Sequence, residues 1–135
     1  MFNLGLDYDD TITRSPEFFR VLTGAVREAG GTSHLVSSRP DTKESRDNTM
    51  RGLDAYGIRI DKFGFFRHSL EEMADICPHQ ELDPDKKWLW QKIEYCAEHD
   101  INIFFDDNEK VIELFSEFLP NVMVFKACKF EINAA

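Results

Sequence analysis

The sequence lacks the features that would place the protein in a membrane or outside the cell. No apolar run approaches the roughly 20 residues that span a bilayer, and the first residues lack a basic stretch followed by a hydrophobic signal core. The three cysteines, Cys77, Cys96 and Cys128, are odd in number and widely spaced, unlike a disulfide framework. We therefore expect a cytoplasmic protein with no membrane partner.

Excess positive charge is also missing. The formal net charge is −9 and the sequence pI is about 4.8, which argues against strong nonspecific binding of nucleic acid. The charge is unevenly placed, because residues 1–67 are neutral overall and contain all eight arginines, whereas the excess acid lies in residues 68–135. A small phosphorylated molecule or other anion is the favoured partner; nucleic acid is possible but not favoured, and the oligomeric state is left open.

The chain has enough apolar material for one hydrophobic core. Its 135 residues include twelve phenylalanines and contain no internal repeat or linker, which favours a single domain over residues 1–135. Apolar segments predict strands at about 2–6, 32–37, 58–66, 101–105 and 122–125. Helical patterns with capping residues predict helices at about 15–29, 41–56, from 69, 83–98 and around 111–119.

This alternation predicts an α/β fold, a Rossmann-like three-layer α/β/α sandwich with a mostly parallel central sheet. Such sheets bind ligands beyond the carboxyl ends of their strands. Residues 67–82 exceed a normal connection and form a possible small lid insert, so any cap is minimal.

Two acid pairs follow predicted strands and should meet at one edge of the sheet. Asp7 and Asp9 follow the first strand, and Asp106 and Asp107 follow the fourth. Two like charges about 5 Å apart repel by roughly 3 kcal/mol at an effective dielectric of about 20. A divalent cation relieves that repulsion, and hard oxygen ligands favour Mg²⁺, with all four aspartates as candidate ligands.

Four motifs in order resemble those of the haloacid dehalogenase (HAD) superfamily. Its Asp-x-Asp-x-Thr motif matches Asp7 to Thr11, the hydroxyl that ends the second strand matches Ser37, the lysine matches Lys86 or Lys87, and the late acid pair matches Asp106-Asp107. Helical spacing favours Lys86, because it shares the predicted inward face of its helix. The resemblance spans almost the whole chain and implies a small HAD-like member with a minimal cap or none.

The resemblance implies a magnesium-dependent phosphatase that hydrolyses a phosphate monoester. Asp7 would be the nucleophile that forms an aspartyl-phosphate, and Asp9 the acid/base that protonates the leaving oxygen and then activates water. Ser37 and the lysine, Lys86 or Lys87, would balance the charge of the transferring phosphoryl group. Thr11 is expected to hydrogen-bond locally and hold the loop.

Other interpretations stay open at this level. A polynucleotide end phosphatase and a phosphate-binding module without turnover share these residues. A phospho-accepting receiver domain uses similar groups, but its acceptor Asp ends the third strand, where this chain has no carboxylate. The residues Cys77, His79, Cys96 and His99 are of the types that bind zinc, but the spacing of the first two is tight and buried cysteine is the favoured interpretation.

Overall fold

The computed structural model describes residues 2–128 and confirms the predicted α/β sandwich. Five parallel strands lie in the order β3-β2-β1-β4-β5, with bounds β1 Asn3–Leu6, β2 Thr32–Pro40, β3 Lys62–Phe66, β4 Ile103–Asp106 and β5 Met123–Lys126. The helices are α1 Pro16–Glu28, α2 Lys43–Tyr56, α3 Leu70–Ile76, α4 Pro84–Glu98 and α5 Glu109–Phe118, and a single 3-10 turn covers Ile12–Arg14. No helix in this described stretch has the length and apolarity to cross a bilayer.

Two hydrophobic clusters hold the helices against the two faces of the sheet. One contains buried residues of β1, β2, α1 and α2, including Leu4, Leu6, Phe19, Leu35 and Leu53. The other joins the sheet to α4 and α5. Its buried members include Val36, Leu89, Ile93, Phe104, Val111, Leu114 and Phe115. Because successive strand residues face opposite layers, adjacent Leu35 and Val36 serve different cores.

Most helix starts follow the predicted capping chemistry. Ser69 and Glu72 form a reciprocal capping box at α3, and the Asp83 carboxylate accepts from the Lys86 amide at 2.8 Å at the start of α4. Asn108 caps α5 in the same way. Ser15, in contrast, makes no side-chain cap bond; Pro16 begins α1, where its ring already fixes the required φ angle.

Two strand boundaries differ from the sequence prediction by more than two residues. β2 continues to Pro40 through an irregularity between Val36 and Pro40 instead of ending at residue 37. β3 begins at Lys62 instead of residue 58, because Gly57 ends α2 with φ 70° and Ile58 bonds back to the Leu53 carbonyl. Ile58 is buried in the core as part of this connection.

Candidate functional site

The pairing of β1 with β4 brings the two acid motifs together. Leu6 is in register with Phe105, and the Asp7 amide donates to the Phe105 carbonyl at 3.0 Å, so Asp7 and Asp106 leave adjacent strands side by side. Asp7, Asp106 and Asp107 each present a carboxylate oxygen within 4.8 Å of the other two. Three of the four predicted metal ligands therefore converge at the carboxyl edge of the sheet.

A buried lysine lies between two of these acids. The Lys92 ammonium, from the middle of α4, donates to Asp7 Oδ1 at 2.8 Å and to Asp106 Oδ2 at 2.7 Å. The Lys92 side chain is 3% exposed, and Leu89 and Cys96 on the same side of α4 are buried in the core. The packing of α4 on the sheet thus places the Lys92 ammonium between Asp7 and Asp106.

The remaining oxygens of the two buried acids also have partners. The Thr11 hydroxyl lies 3.0 Å from Asp7 Oδ2 and 3.4 Å from Asp107 Oδ1, so its single proton can serve either carboxylate. This contact is the local hydrogen bond expected of Thr11. Asp106 Oδ1 accepts from the Asn108 amide at 2.9 Å in the turn that starts α5. The acids are consequently held in fixed orientations.

Burial and charge act in opposite directions on these groups. Burial raises the pKa of Asp7 to about 6, although the Lys92 ammonium and its hydrogen bond pull it down. Burial likewise raises the pKa of Asp106 against the attraction of Lys92. For Lys92, burial opposes the charged form, but attraction by Asp7 and Asp106 outweighs it, so the pKa of Lys92 lies above its ordinary value.

The donor set of this cluster fits a divalent metal ion. Ionised Asp7, Asp106 and Asp107 with one ammonium, Lys92, leave two net negative charges at a largely buried site. Carboxylate oxygens are hard ligands, and such a charge excess in a low-dielectric setting is costly without a cation. Asp107 is only partly buried, which leaves an open side toward solvent.

Asp9 does not join the three aspartates. Its side chain is 49% exposed and forms a two-point ion pair with Arg39, whose Nε and Nη2 each donate at 2.8 Å. Over the described residues, 2–128, the group of acids whose oxygens approach one another does not include Asp9. The expectation that its carboxylate is a metal ligand is not matched by this arrangement.

The structure places the predicted lysines away from the acids. Lys86 pairs with Glu113 at 2.7 Å on α5, and Lys87 donates to Gln80 at 3.3 Å, so the cation at the acids is Lys92. The prediction of Lys86 or Lys87 as the cation at the acids is therefore corrected to Lys92. A signal for Lys92 was present in the sequence: it lies three residues after Leu89 and four before Cys96, on a side of α4 that is otherwise apolar.

Ser37 lies at the expected edge of the sheet, where its side chain is buried. It is 1% exposed on β2, next to β1, and its oxygen accepts from the Arg39 amide at 3.1 Å.

A zinc site finds no support in residues 2–128, where the three aspartates form the group of clustered ligand side chains. Cys77 and Cys96 are buried, and both are free thiols.

Comparison with known proteins identifies the fold but no family. No family model and no curated protein sequence matches the chain. Two similar solved structures are chains titled as the Pnkp1/Rnl/Hen1 complex, the second as an RNA repair complex, with TM-scores of 0.65 and 0.62 at 14% and 16% identity. They align with 98% and 92% of this chain, which spans 47% and 41% of theirs.

A third similar structure is an uncharacterized protein from Corynebacterium glutamicum ATCC 13032 Kitasato. Its TM-score is 0.57 at 14% identity, and the alignment covers 98% of this chain and 86% of that one. At these identities the likeness concerns the fold. The chain also spans less than half the length of the RNA repair complex chains that it matches.

Proposed function

We propose that the protein is a HAD-like, magnesium-dependent phosphohydrolase that cleaves phosphate monoesters through an aspartyl-phosphate on Asp7. The observation that carries this proposal is the buried contact of Lys92 with both Asp7 and Asp106, beside Asp107. Stability alone does not explain three acids around one ammonium at the edge of the sheet. Apolar residues in place of a buried ion pair are often equally stable, whereas loss of one partner of the pair costs several kcal/mol. Phosphoryl transfer, in contrast, needs both a nucleophile and opposing positive charge.

The first half of the reaction uses Asp7 and Asp9. An oxygen of the Asp7 carboxylate attacks phosphorus, the bond from phosphorus to the ester oxygen breaks, and its electron pair stays on the departing oxygen. Asp9 gives that oxygen a proton. Lys92 holds Asp7 by one oxygen and offers positive charge next to the incoming phosphoryl group, while Thr11 holds the other oxygen of Asp7.

The second half restores the enzyme. Asp9 takes a proton from water, the water oxygen bonds to phosphorus, and the bond between phosphorus and Asp7 breaks with its electron pair returning to the carboxylate. Inorganic phosphate leaves. Asp7, Asp106 and Asp107 would hold Mg²⁺, which when bound neutralises charge on the phosphoryl oxygens.

The substrate class remains a choice between two proposals. The acidic balance of the chain favours a small phosphorylated metabolite or nucleotide. The similar chains from the Pnkp1/Rnl/Hen1 RNA repair complex favour the second candidate, a polynucleotide end phosphatase. With only α3 and its flanking loops between β3 and α4, the described residues contain no large cap that would block a substrate of the size of a nucleic-acid end.

Replacement of the nucleophile tests the reaction. Asp7→Asn should abolish turnover of an aryl phosphate with Mg²⁺, because an amide neither attacks phosphorus at a useful rate nor forms a hydrolysable acyl phosphate. The control is Asp54→Asn, an exposed position in α2, which should retain full activity. Turnover by Asp7→Asn at the wild-type rate would overturn the mechanism.

A panel of esters tests the substrate. It contains sugar phosphates, mononucleotides, and oligonucleotides carrying a 3′- or 5′-phosphate, each with Mg²⁺ and with chelator. We expect the highest kcat/KM among the small esters; preference for the oligonucleotides would favour the second candidate. Incubation with acetyl phosphate tests two other roles. A persistent acyl phosphate would indicate a receiver-like domain, and binding without product would indicate a phosphate-binding module.

A further inference from the structure

Arg39, near the end of β2, connects the loop that carries Asp9 to helix α2. Its Nε and Nη2 grip both oxygens of Asp9 at 2.8 Å, and its Nη1 donates to Thr49 Oγ1 at 3.1 Å on α2. The guanidinium carbon lies 4.7 Å from the centre of the Tyr8 ring. Arg39 is therefore clamped from three sides, by the loop after β1, by α2 and by an aromatic face.

The anchors of Arg39 are themselves fixed. Thr49 is fully buried, and its hydroxyl donates to the Ser45 carbonyl while it accepts from Arg39. Tyr8 is 4% exposed. Asn48 Oδ1 accepts a hydrogen bond from the second N–H of Nη1 at 3.4 Å. Four of the five N–H groups of the guanidinium therefore have partners.

These contacts decide between two uses of an arginine near a phosphate site. An arginine that binds substrate phosphate needs free N–H groups directed at the ligand, and among residues 2–128 only one N–H group of Arg39 has no partner. A flexible surface pair would give little orientation, since exposed pairs are weak and mobile. A two-point contact from a clamped guanidinium instead restricts both rotation and translation of the Asp9 carboxylate.

We propose that Arg39 is a positioning residue that holds the Asp9 carboxylate in its working orientation beside the Asp7 site. The inference rests on the proposed function, in which Asp9 moves the proton. A proton arriving on one oxygen of Asp9 displaces one N–H contact and leaves the other, so the contact persists through both halves of the reaction. Arg39 thus acts through Asp9 and does not touch the phosphoryl group.

Kinetics of single and double variants test this role with an aryl phosphate and Mg²⁺. Arg39→Gln should lower kcat by about 10- to 100-fold, part of the roughly 10²- to 10⁴-fold that acid–base catalysis supplies, and should change KM less than about threefold. Arg39→Lys keeps the charge without the two-point geometry and should fall between. In an Asp9→Asn background, Arg39→Gln should have no further effect, because its target is already lost.

Controls separate positioning from folding and from failure of the whole mechanism. Arg20→Gln removes an exposed Arg–carboxylate contact on α1, with Glu17, and should keep the wild-type kcat. Wild-type thermal unfolding and Mg²⁺ affinity of the Arg39 variants would exclude a collapsed site. Losses that multiply in the double variant, or a rise in KM alone, would overturn the role of Arg39. An active Asp7→Asn would instead overturn the reaction itself.

Discussion

The molecule contains two ion-pair networks at one sheet edge, and they differ in burial. The Lys92 ammonium contacts Asp7 and Asp106 with all three side chains at or below 6% exposure. The Arg39 contact with Asp9 has similar distances, but its side chains are 28% and 49% exposed. Equal hydrogen-bond lengths therefore describe two different energetic situations.

The difference lies in what happens when one partner is lost. In the buried network an unpaired charge cannot be solvated, so removal of one member costs several kcal/mol. In the exposed pair water replaces the missing partner, and the cost is typically below about 1 kcal/mol. Substitutions in the buried network should therefore lower both the stability and the activity of the protein. Substitutions in the exposed pair should lower the activity and leave the stability almost unchanged.

Removal of the buried ammonium is expected to have the largest effect. Lys92→Met leaves Asp7 and Asp106 buried without a counter-charge and should lower the free energy of unfolding by about 3–5 kcal/mol. The measurement is urea unfolding in chelator. Lys86→Met is the matched control, because its partner Glu113 is exposed, and it should cost less than about 1 kcal/mol. Equal losses would erase the distinction between the networks.

The burial of His34 is expected to make stability depend on pH. His34 is 2% exposed; burial, then the positive neighbours His99 and Lys62, lowers the pKa of His34 to about 4 against the opposing effect of Asp61. Between the unfolded pKa near 6.5 and this value, only the unfolded chain takes up the proton, so stability falls as pH falls.

The expected loss from His34 is about 2 kcal/mol between pH 6.5 and pH 5. The measurement is urea unfolding at both pH values for the wild type and for His34→Gln, which cannot titrate. The raised pKa of Asp7 acts in the opposite direction in this range and is common to both proteins. The variant should lose less stability on acidification, and parallel curves would contradict the prediction.

The sequence predicted those parts of the site that depend on regular structure. Parallel strands end at one edge, so the convergence of Asp7, Asp106 and Asp107 followed from locating two apolar segments. The order of helices and strands followed from periodicity in the same way. The strand starting at residue 58 was wrong, because Ile58 and Ile60 alternate like a strand but complete the turn after α2.

The acids that Lys92 meets and the partner of Asp9 depend on tertiary contacts; the local pattern places Lys92 on an apolar side of α4 but does not identify its partners. Three lysines occur in α4, and the rule that lysine prefers solvent gives no reason to bury Lys92; the reason is the two acids at the carboxyl ends of β1 and β4, to which it donates. Asp9 turns to Arg39 in the loop where Asp10 adopts φ 62°, a left-handed geometry that sequence spacing does not disclose.

A change in the layer behind Arg39 should perturb the exposed pair indirectly. A Cβ on Gly52 of α2 would clash with the Tyr8 hydroxyl oxygen, so Gly52→Ala must displace the ring that supports Arg39. We expect a net loss of about 1 kcal/mol in unfolding free energy, because overpacking outweighs the gain in helix propensity, together with a lower kcat.

Gly24→Ala is the matched control for this substitution. Gly24 lies in α1, and no atom in the part of the chain that the structure describes is within 4 Å of an added Cβ, so alanine there should stabilise the protein by up to about 1 kcal/mol and leave kcat unchanged. Thermal unfolding and aryl phosphate kinetics of both variants provide the measurement. A Gly52→Ala protein as stable and as active as the Gly24→Ala protein would mean that the Tyr8 ring moves without cost, which would contradict the prediction.

The smallest expected effect on stability belongs to the exposed pair itself. Arg39→Gln should change the free energy of unfolding by less than about 1 kcal/mol, close to Arg20→Gln, because solvent takes over the hydrogen bonds of Asp9. Urea unfolding of the two variants side by side gives the comparison. A loss near that of Lys92→Met would place Arg39 among the structural charges, since Asp9 is half exposed and the buried Thr49 hydroxyl keeps its hydrogen bond to Ser45 when Arg39 is replaced. A small loss joined to the predicted fall in kcat would separate orientation from stability at a single residue.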